Sequence, residues 1–141
     1  MREKEDAHEL ASFEVEAGSD REPLARVAVR MPSGEEAAGE SGGDGPVDAI
    51  FLAIQKAVGT ECELRQYTVE AVTGGEDALG QVTVMLRAVG RLATGQGVAT
   101  DILEASARAY VRALSNAMEG AAIREAEAAT AEAAVERSPG P

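Results

Sequence analysis

The chain carries the same residue pattern twice, and this duplication restricts the possible folds more than any other feature. The segment HELASFEVEA (8–17) recurs as CELRQYTVEA (62–71), with an aromatic residue followed by Val-Glu-Ala at matched positions. Two further pairs follow in the same order, LARVAVRMPSGEEAAG (24–39) with LGQVTVMLRAVGRLATG (79–95), and GPVDAIFLAIQKAV (45–58) with VATDILEASARAYV (98–111). The repeat is roughly fifty residues long, and two copies are too few for a solenoid. We therefore expect one duplicated unit whose copies are related by a pseudo-twofold axis.

Each copy predicts three strands followed by a helix. Apolar residues alternate in the first two segments of each copy, which is typical of half-buried strands. The alternating residues are Phe13, Val15, Ala17, Val27, Val29 and Met31 in the first copy, and Tyr67, Val69, Ala71, Val82, Val84 and Leu86 in the second. The next segment of each copy has apolar residues at helical spacing, which places them on one face of a helix. They are Val47, Ile50, Phe51, Ile54 and Val58 in the first copy, and Leu103, Ala107, Tyr110, Val111 and Leu114 in the second. A helix with one apolar stripe covers a sheet with one apolar face. The predicted fold class is therefore α+β, with two pseudo-twofold-related βββα units forming a two-layer domain.

The pattern also suggests where the domain begins and ends. We expect a first unit over 9–59 and a second over 60–116, which together form one domain over 9–116. Residues 1–8 are expected to be disordered. Residues 117–141 are rich in Ala and Glu, which favour helix, and we expect a solvated helical extension there, with Gly120 as a point of interruption and a frayed Ser-Pro-Gly-Pro tail.

Composition excludes several classes of function. The formal net charge is −12, which argues against binding nucleic acid or an anionic membrane, because both require a positive surface. No apolar run is long enough to span a bilayer, and the first residues lack the apolar stretch of a signal peptide. The single cysteine, Cys62, is consistent with a reducing cytoplasmic setting. The single histidine, His8, excludes a metal site with several histidines and a Ser-His-Asp relay, so we expect no cofactor.

A glycine-rich loop opens the first helix, and its residues allow two interpretations. Gly45 suits the N-cap, Pro46 the first helical position, and Asp48 the first turn near the positive end of the helix dipole. In the simpler interpretation, the glycines only permit tight turns and the aspartates, Asp48 and its aligned partner Asp101, only stabilise the helix starts. In the second, backbone N–H groups hold an anion. The loop lacks the Lys and the spacing of nucleotide-binding loops, so a suitable ligand would be a small aliphatic amino acid held by its carboxylate.

Three segments together resemble the C-terminal regulatory domain of the 2-isopropylmalate synthase and citramalate synthase family. They are GDGPVDAIFLAIQKAV, YTVEAVTGGEDALGQVTVML and GQGVATDILEASARAYVRALSN, and the resemblance extends roughly from Glu9 to Asn116. It implies two βββα units, a homodimer, and binding of the pathway end product, leucine in the synthase, which inhibits a distant active site. Carried over by position, the implied effector-binding residues are Gly43, Gly45, Asp48, Gln66, Ala78 and Val98.

The resemblance also implies that catalysis belongs to a different part of the enzyme. The catalytic part of the family is a TIM barrel with a divalent metal and acetyl-CoA chemistry, and a barrel needs about 250 residues. We therefore expect no catalytic residues on this chain, and a synthase barrel as its partner in cis or in trans. The leading hypothesis is an allosteric module that binds leucine or a related amino acid. The alternatives are a non-catalytic dimerisation or docking module with a vestigial effector site, and an enzyme acting through carboxylates such as Glu76 and Asp77.

Overall fold

The structure, a computed structural model, describes residues 7–72 and 78–137, with side chains up to residue 120. Its elements in chain order are β1 (Glu9–Gly18), β2 (Arg21–Arg30), β3 (Glu36–Gly42), α1 (Pro46–Val58), β4 (Cys62–Val72), β5 (Leu79–Ala88), β6 (Arg91–Ala99) and α2 (Ile102–Arg137). The strands form two antiparallel three-stranded sheets, β1-β2-β3 and β4-β5-β6, and each sheet is followed by a helix. The predicted α+β fold of two βββα units in two layers is confirmed.

The strand register corrects one part of the predicted correspondence between the copies. One row of facing residues crosses each sheet, formed by Phe13, Val27 and Gly39 in the first and by Tyr67, Val84 and Gly95 in the second. The counterpart of Val27 is therefore Val84, whereas the sequence comparison paired it with Val82. Residues two apart on a strand face the same side, so the alternation of apolar residues looks the same after a shift of two.

Each helix packs against the third strand of its own sheet so closely that only glycine fits beneath it. A Cβ atom on Gly39 would collide with the carbonyl oxygen of Ala53 and lie 2.6 Å from the nitrogen of Ala57. The same contact in the second unit is made by Gly95, Ala109 and Ala113. Ala53 therefore corresponds to Ala109, three residues beyond the position the sequence comparison gave. A shift of three is nearly one helical turn, so the apolar stripe was preserved by the wrong alignment.

The two units share one core, because their helices contact each other through aromatic residues. The rings of Phe51 and Tyr110 stack with their centroids 4.2 Å apart, and Tyr67 of β4 meets Phe51 edge-on at 5.8 Å. Gln55 Nε2 donates a hydrogen bond of 2.9 Å to the phenol oxygen of Tyr110. The predicted apolar helix faces are buried or packed against this core, namely Val47, Ile50, Phe51, Ile54 and Val58 on α1 and Leu103, Ala107, Tyr110, Val111 and Leu114 on α2.

The chain before β1 is packed against α2. Ala7 and His8 are buried, and the backbone N–H of His8 donates a hydrogen bond of 2.9 Å to Ser115 Oγ. The prediction that residues 1–8 are disordered is therefore wrong for Ala7 and His8, while residues 1–6 lie outside the described part of the chain. At the other end, α2 passes through Gly120 without interruption, and the side chain of Arg91 lies against that glycine.

Burial of His8 makes the stability of the fold depend on pH. Desolvation lowers the pKa of His8 in the folded protein below its ordinary value of about 6.5. Between these two pKa values the unfolded chain binds more protons than the folded one, so the free energy of unfolding decreases as the pH falls. We expect the melting temperature to fall as the pH is lowered from 7.5 to 5. The His8→Gln variant should lose less over the same range, in scans of both proteins at matched ionic strength. Parallel pH profiles for the two proteins would contradict this assignment.

Candidate functional site

The glycine-rich loop before α1 has the predicted helix start. Gly45 is the N-cap, with φ −157° and ψ 176°, and Pro46 follows in the first turn. The carbonyl oxygen of Gly45 accepts a hydrogen bond of 2.9 Å from the N–H of Ala49. The dihedral angles of Gly45 are those of extended backbone, which most residues can adopt. A Cβ atom on Gly45 would have no heavy atom within 4 Å. Gly45 is therefore not required by the backbone, and the space above the helix start is open.

Asp48 already occupies part of this helix start. Its Oδ2 atom accepts a hydrogen bond of 2.9 Å from the backbone N–H of Asp44. The same oxygen would lie 2.7 Å from a Cβ atom on Gly43, which contacts the first turn of α1 directly. Gly43, Gly45 and Asp48, three of the predicted effector-binding residues, therefore lie together. The negative charge that the helix dipole favours at this end is supplied by the chain itself.

The start of α2 is built differently, which corrects the predicted pairing of Asp48 with Asp101. Asp101 is the residue just before α2: its carbonyl accepts from the N–H of Ala105 at 2.9 Å, and its Oδ1 accepts from the N–H of Leu103 at 2.9 Å. Asp101 therefore corresponds to Gly45, and Glu104 corresponds to Asp48. The two aspartates perform different tasks, because Asp101 caps its helix with its side chain and Asp48 reaches back to the preceding loop.

The other three predicted residues belong to the second unit. Ala78 immediately precedes β5, and Val98 lies opposite Gln81 near the end of β6, so both lie at the same end of the sheet. Gln66 lies opposite Met85, about 13 Å further along the strands at the usual rise per residue. The structure therefore brings Ala78 and Val98 to one sheet end and places Gln66 away from it. The alternative catalytic residues, Glu76 and Asp77, lie outside the described residues.

Val98 lines a groove between the start of β1, the free edge of β6 and the outer side of α2. The groove has a volume of about 400 Å³ and is lined by His8, Glu9, Leu10, Gln96, Gly97, Val98, Arg108, Val111 and Arg112. The two arginines lie one helical turn apart. Sequence reasoning missed this groove, since it overlooked the Arg-x-x-x-Arg spacing on the polar face of α2 and treated His8 as part of a disordered segment.

The described residues give no indication of a metal centre or of a membrane span. Over 7–72 and 78–120, no three His, Cys, Asp or Glu side chains come together in a way that could hold a metal ion. Over 7–72 and 78–137, neither α1 nor α2 combines the length and the apolar character that a membrane crossing requires. Burial raises the pKa of the Cys62 thiol, so this cysteine is protonated near neutral pH and is a poor nucleophile.

Comparison with known proteins gives a consistent set of relatives. Residues 1–118 match the family described as the LeuA allosteric (dimerisation) domain. The chain is 48% identical over 113 residues to a 2-isopropylmalate synthase of Chromobacterium violaceum, an alignment that covers 80% of this chain and 22% of that protein. It is 50% identical over 108 residues to a 2-isopropylmalate synthase of Thermus thermophilus, covering 77% of this chain and 32% of the relative. For the Carboxydothermus hydrogenoformans synthase the identity is 45% over 116 residues, covering 82% and 23%. The chain thus spans between about a fifth and a third of the length of these relatives.

Proposed function

The chain belongs to the family of the LeuA allosteric (dimerisation) domain, and on this premise we propose that it binds leucine, or a related branched-chain amino acid, for feedback control of leucine biosynthesis. The observation that carries the proposal is the family match over residues 1–118. The relatives that share 45–50% identity are 2-isopropylmalate synthases. The effector would act on a catalytic synthase barrel, in cis or in trans, in the cytoplasm.

The loop before α1 offers suitable chemistry for the polar end of a free amino acid. Backbone N–H groups at a helix start attract a carboxylate, and the open space at Gly45 leaves room for one. An amino acid also carries an ammonium group, which the Asp48 carboxylate beside the loop is suited to accept. We therefore propose Gly43, Gly45 and Asp48 as the polar part of the site. Val98, Ala78 and Gln66 remain proposed contacts from the second unit.

Titration calorimetry tests this function directly. We expect leucine, isoleucine or valine to give saturable heat with the full chain, and Gly45→Val to weaken the binding at least about tenfold by filling the space that the ligand's carboxylate needs. The fold should be retained, because the backbone at Gly45 is extended and the surrounding space is open. Gly18→Val is the matched control, since a Cβ atom there makes only ordinary contacts of 3.6 Å. The absence of heat from all three amino acids at millimolar concentration would refute the proposal.

A second candidate is a dimerisation or docking module whose effector site is vestigial. It is favoured by the hydrogen bond from the Asp44 N–H to Asp48 Oδ2, since a carboxylate from the chain already takes one donor that an effector would use. A second copy would be its partner. Two chains of net charge −12 repel each other, so a dimer contact requires surface without charged side chains. The outer face of the second sheet offers two uncharged rows, formed by Gln66, Met85 and Thr94 and by Thr68, Thr83 and Gln96.

The two candidates differ in how ligand affects stability. An effector that binds only the folded state must raise the melting temperature as its concentration rises. A vestigial site predicts a dimer in sedimentation velocity whose melting temperature does not change with any of the three amino acids. A monomer at tens of micromolar, together with a ligand-dependent melting temperature, would exclude the second candidate.

A further inference from the structure

The free edge of β6 lacks the features by which proteins usually protect an edge strand. Sheet edges are commonly blunted by charged residues or by bulges that interrupt pairing. Among the four edge strands of the two sheets, β1 and β4 contain register shifts and glutamates, and β3 carries Glu36 and Glu40. β6 pairs with β5 without a shift from Arg91 to Ala99, and the sequence between these two residues, LATGQGV, contains no charge. This edge is therefore the best suited of the four to accept a further strand.

Backbone hydrogen-bonding groups of β6 face open space along this edge. A two-residue turn joins Ala88 of β5 to Arg91 of β6, so Arg91 and every second residue after it bond to β5, and the residues between them face the free edge. The hydrogen bond of 2.8 Å that Asn116 Nδ2 donates to the carbonyl oxygen of Thr94 agrees with this orientation. Gln96 is exposed and faces the same way, and both residues line a cavity of about 400 Å³ beside α2. A strand added here would find the N–H and carbonyl of Gln96 and a second lone pair on the Thr94 oxygen.

Two arginines of α2 lie beside this edge, because glycines on β6 allow the helix to approach closely. A Cβ atom on Gly97 would lie 3.0 Å from the Cβ of Arg108, and Arg112 lines the space next to Gly95. Both arginines are exposed. Arg108 contacts a single oxygen of Glu104 through Nε and Nη2, at 2.9 and 2.8 Å. Arg112 forms no ion pair with any side chain that the structure describes. Positive charge therefore borders this edge in a chain whose net charge is −12.

The spacing of the two arginines matches the spacing of side chains on a strand. Residues i and i+4 of a helix are separated by about 6 Å along its axis, and residues i and i+2 of a strand by about 6.6 Å. On a strand added to β6, side chains directly opposite the two glycines would point to the side on which α2 lies. Two successive carboxylates there would meet Arg108 and Arg112 and accept charge-assisted hydrogen bonds. Glu9, the acidic residue on the far side of the groove, lies with its Oε1 3.3 Å from Arg30 Nη1.

We propose that the free edge of β6 is a docking site for an extended acidic peptide segment of a partner protein. The segment adds to the second sheet as a fourth strand and carries carboxylates at alternate positions, which bind Arg108 and Arg112. Pairing with the backbone of Thr94 and Gln96 supplies affinity, and the arginines supply specificity. The negative charge of the rest of the chain is screened beyond about 10 Å at 0.1 M salt. The site binds a main chain and not a free amino acid, and it does not depend on the proposed function.

Titration of the ¹⁵N-labelled full chain with the synthetic peptide acetyl-TVEVEVT-amide tests this site. We expect saturable amide shifts and slowed amide exchange at Gln96. The peptide acetyl-TVQVQVT-amide should bind at least about tenfold more weakly, because it offers no carboxylate to the arginines. N-methylation of the central valine of the first peptide should abolish binding. In the register that places its glutamates beside the arginines, the N–H of this valine faces β6 and is needed for pairing.

Variants of the protein locate the bound peptide. Arg112→Gln should weaken binding of acetyl-TVEVEVT-amide at least about tenfold through loss of a charge-assisted hydrogen bond. Arg87→Gln, at an exposed arginine on β5, is the matched control for net charge and should leave the affinity unchanged. Gln96→Pro should abolish binding and keep the fold, because the N–H that it removes faces the free edge and does not bond to β5. Thermal melts check the fold of each variant.

Several results would overturn the inference. Absence of saturable shifts at millimolar peptide would exclude the site, and equal binding of the N-methylated peptide would exclude strand addition. Equal binding of the glutamine peptide, or equal affinities in Arg112→Gln and Arg87→Gln, would exclude recognition by the arginines. A dimer in sedimentation velocity that Gln96→Pro converts to monomers would assign the edge to a second copy of the chain. Gly45→Val should bind the peptide normally whether or not the protein binds leucine, so a failure of this site is distinguishable from a failure of the proposed function.

Discussion

Gly95→Ala is expected to destabilise the domain by about 3 kcal/mol or more, enough to unfold a marginally stable chain. The added Cβ atom would collide with the main-chain nitrogen of Ala113 and lie 2.5 Å from the carbonyl oxygen of Ala109 and 2.8 Å from the Cα of Ala113. These atoms belong to the backbone of α2 and cannot rotate away as a side chain would. The only relief is to lift the helix from β6, which would open the core along its length.

The Gly95 prediction is checked by urea unfolding followed by circular dichroism. Gly39→Ala should behave in the same way, because Gly39 makes the equivalent contact with Ala53 and Ala57 in the first unit. Gly18→Ala is the matched control and should change the free energy of unfolding by less than about 1 kcal/mol, since its new Cβ atom would meet nothing closer than 3.6 Å. A Gly95→Ala protein as stable as the parent would contradict the close helix–strand contact.

Phe51→Ala is expected to cost about 3–5 kcal/mol and to destabilise both units together. Phe51 is 5% exposed and contacts aromatic residues of the second unit on two sides, stacking on Tyr110 and meeting Tyr67 edge-on. Its removal leaves a cavity between the units and not within one of them. Unfolding should therefore remain a single transition at a lower urea midpoint.

Three comparisons make the Phe51 prediction specific. Tyr110→Phe should cost only about 1 kcal/mol, because it removes the acceptor of the Gln55 hydrogen bond but keeps the stacked ring. Leu64→Ala, at a residue 44% exposed, is the control for loss of an apolar side chain and should cost clearly less than Phe51→Ala. Two separate transitions in Phe51→Ala, one at the parental midpoint, would mean that the units fold independently.

The sequence predicted those features that repeat with the period of a strand or a helix. Alternation at Phe13 and Val15 indicated half-buried strands, and the spacing of Ile50, Phe51 and Ile54 indicated the buried face of α1. Gly45 as the N-cap followed from the Gly-Pro pair, because proline is favoured in the first turn, where its missing N–H has no partner to lose. Each of these is decided by neighbours in the chain.

The predicted residue-by-residue correspondence between the copies was wrong, because local periodicity alone does not fix which repeat of a strand or helix pattern aligns with which. Val27 was paired with Val82 in place of Val84, and Asp48 with Asp101 in place of Glu104. The first error is one strand period and the second is nearly one helical turn, so both alignments keep the apolar residues on the correct side. Only the strand register and the helix caps show which residues of the two copies correspond to each other.

By itself, the sequence determined the duplicated unit, its βββα order, the buried faces of β2, β5 and both helices, and the helix start at Gly45, because these depend on local periodicity and turn chemistry. The tertiary structure alone decided which residues share a surface. It placed His8, Val98 and Arg112 around one groove although they are far apart in the chain. It also bonded Asp48 to the backbone of the preceding loop and joined the units through Phe51 and Tyr110. Contacts between distant segments follow from packing in three dimensions, on which a one-dimensional pattern carries no information.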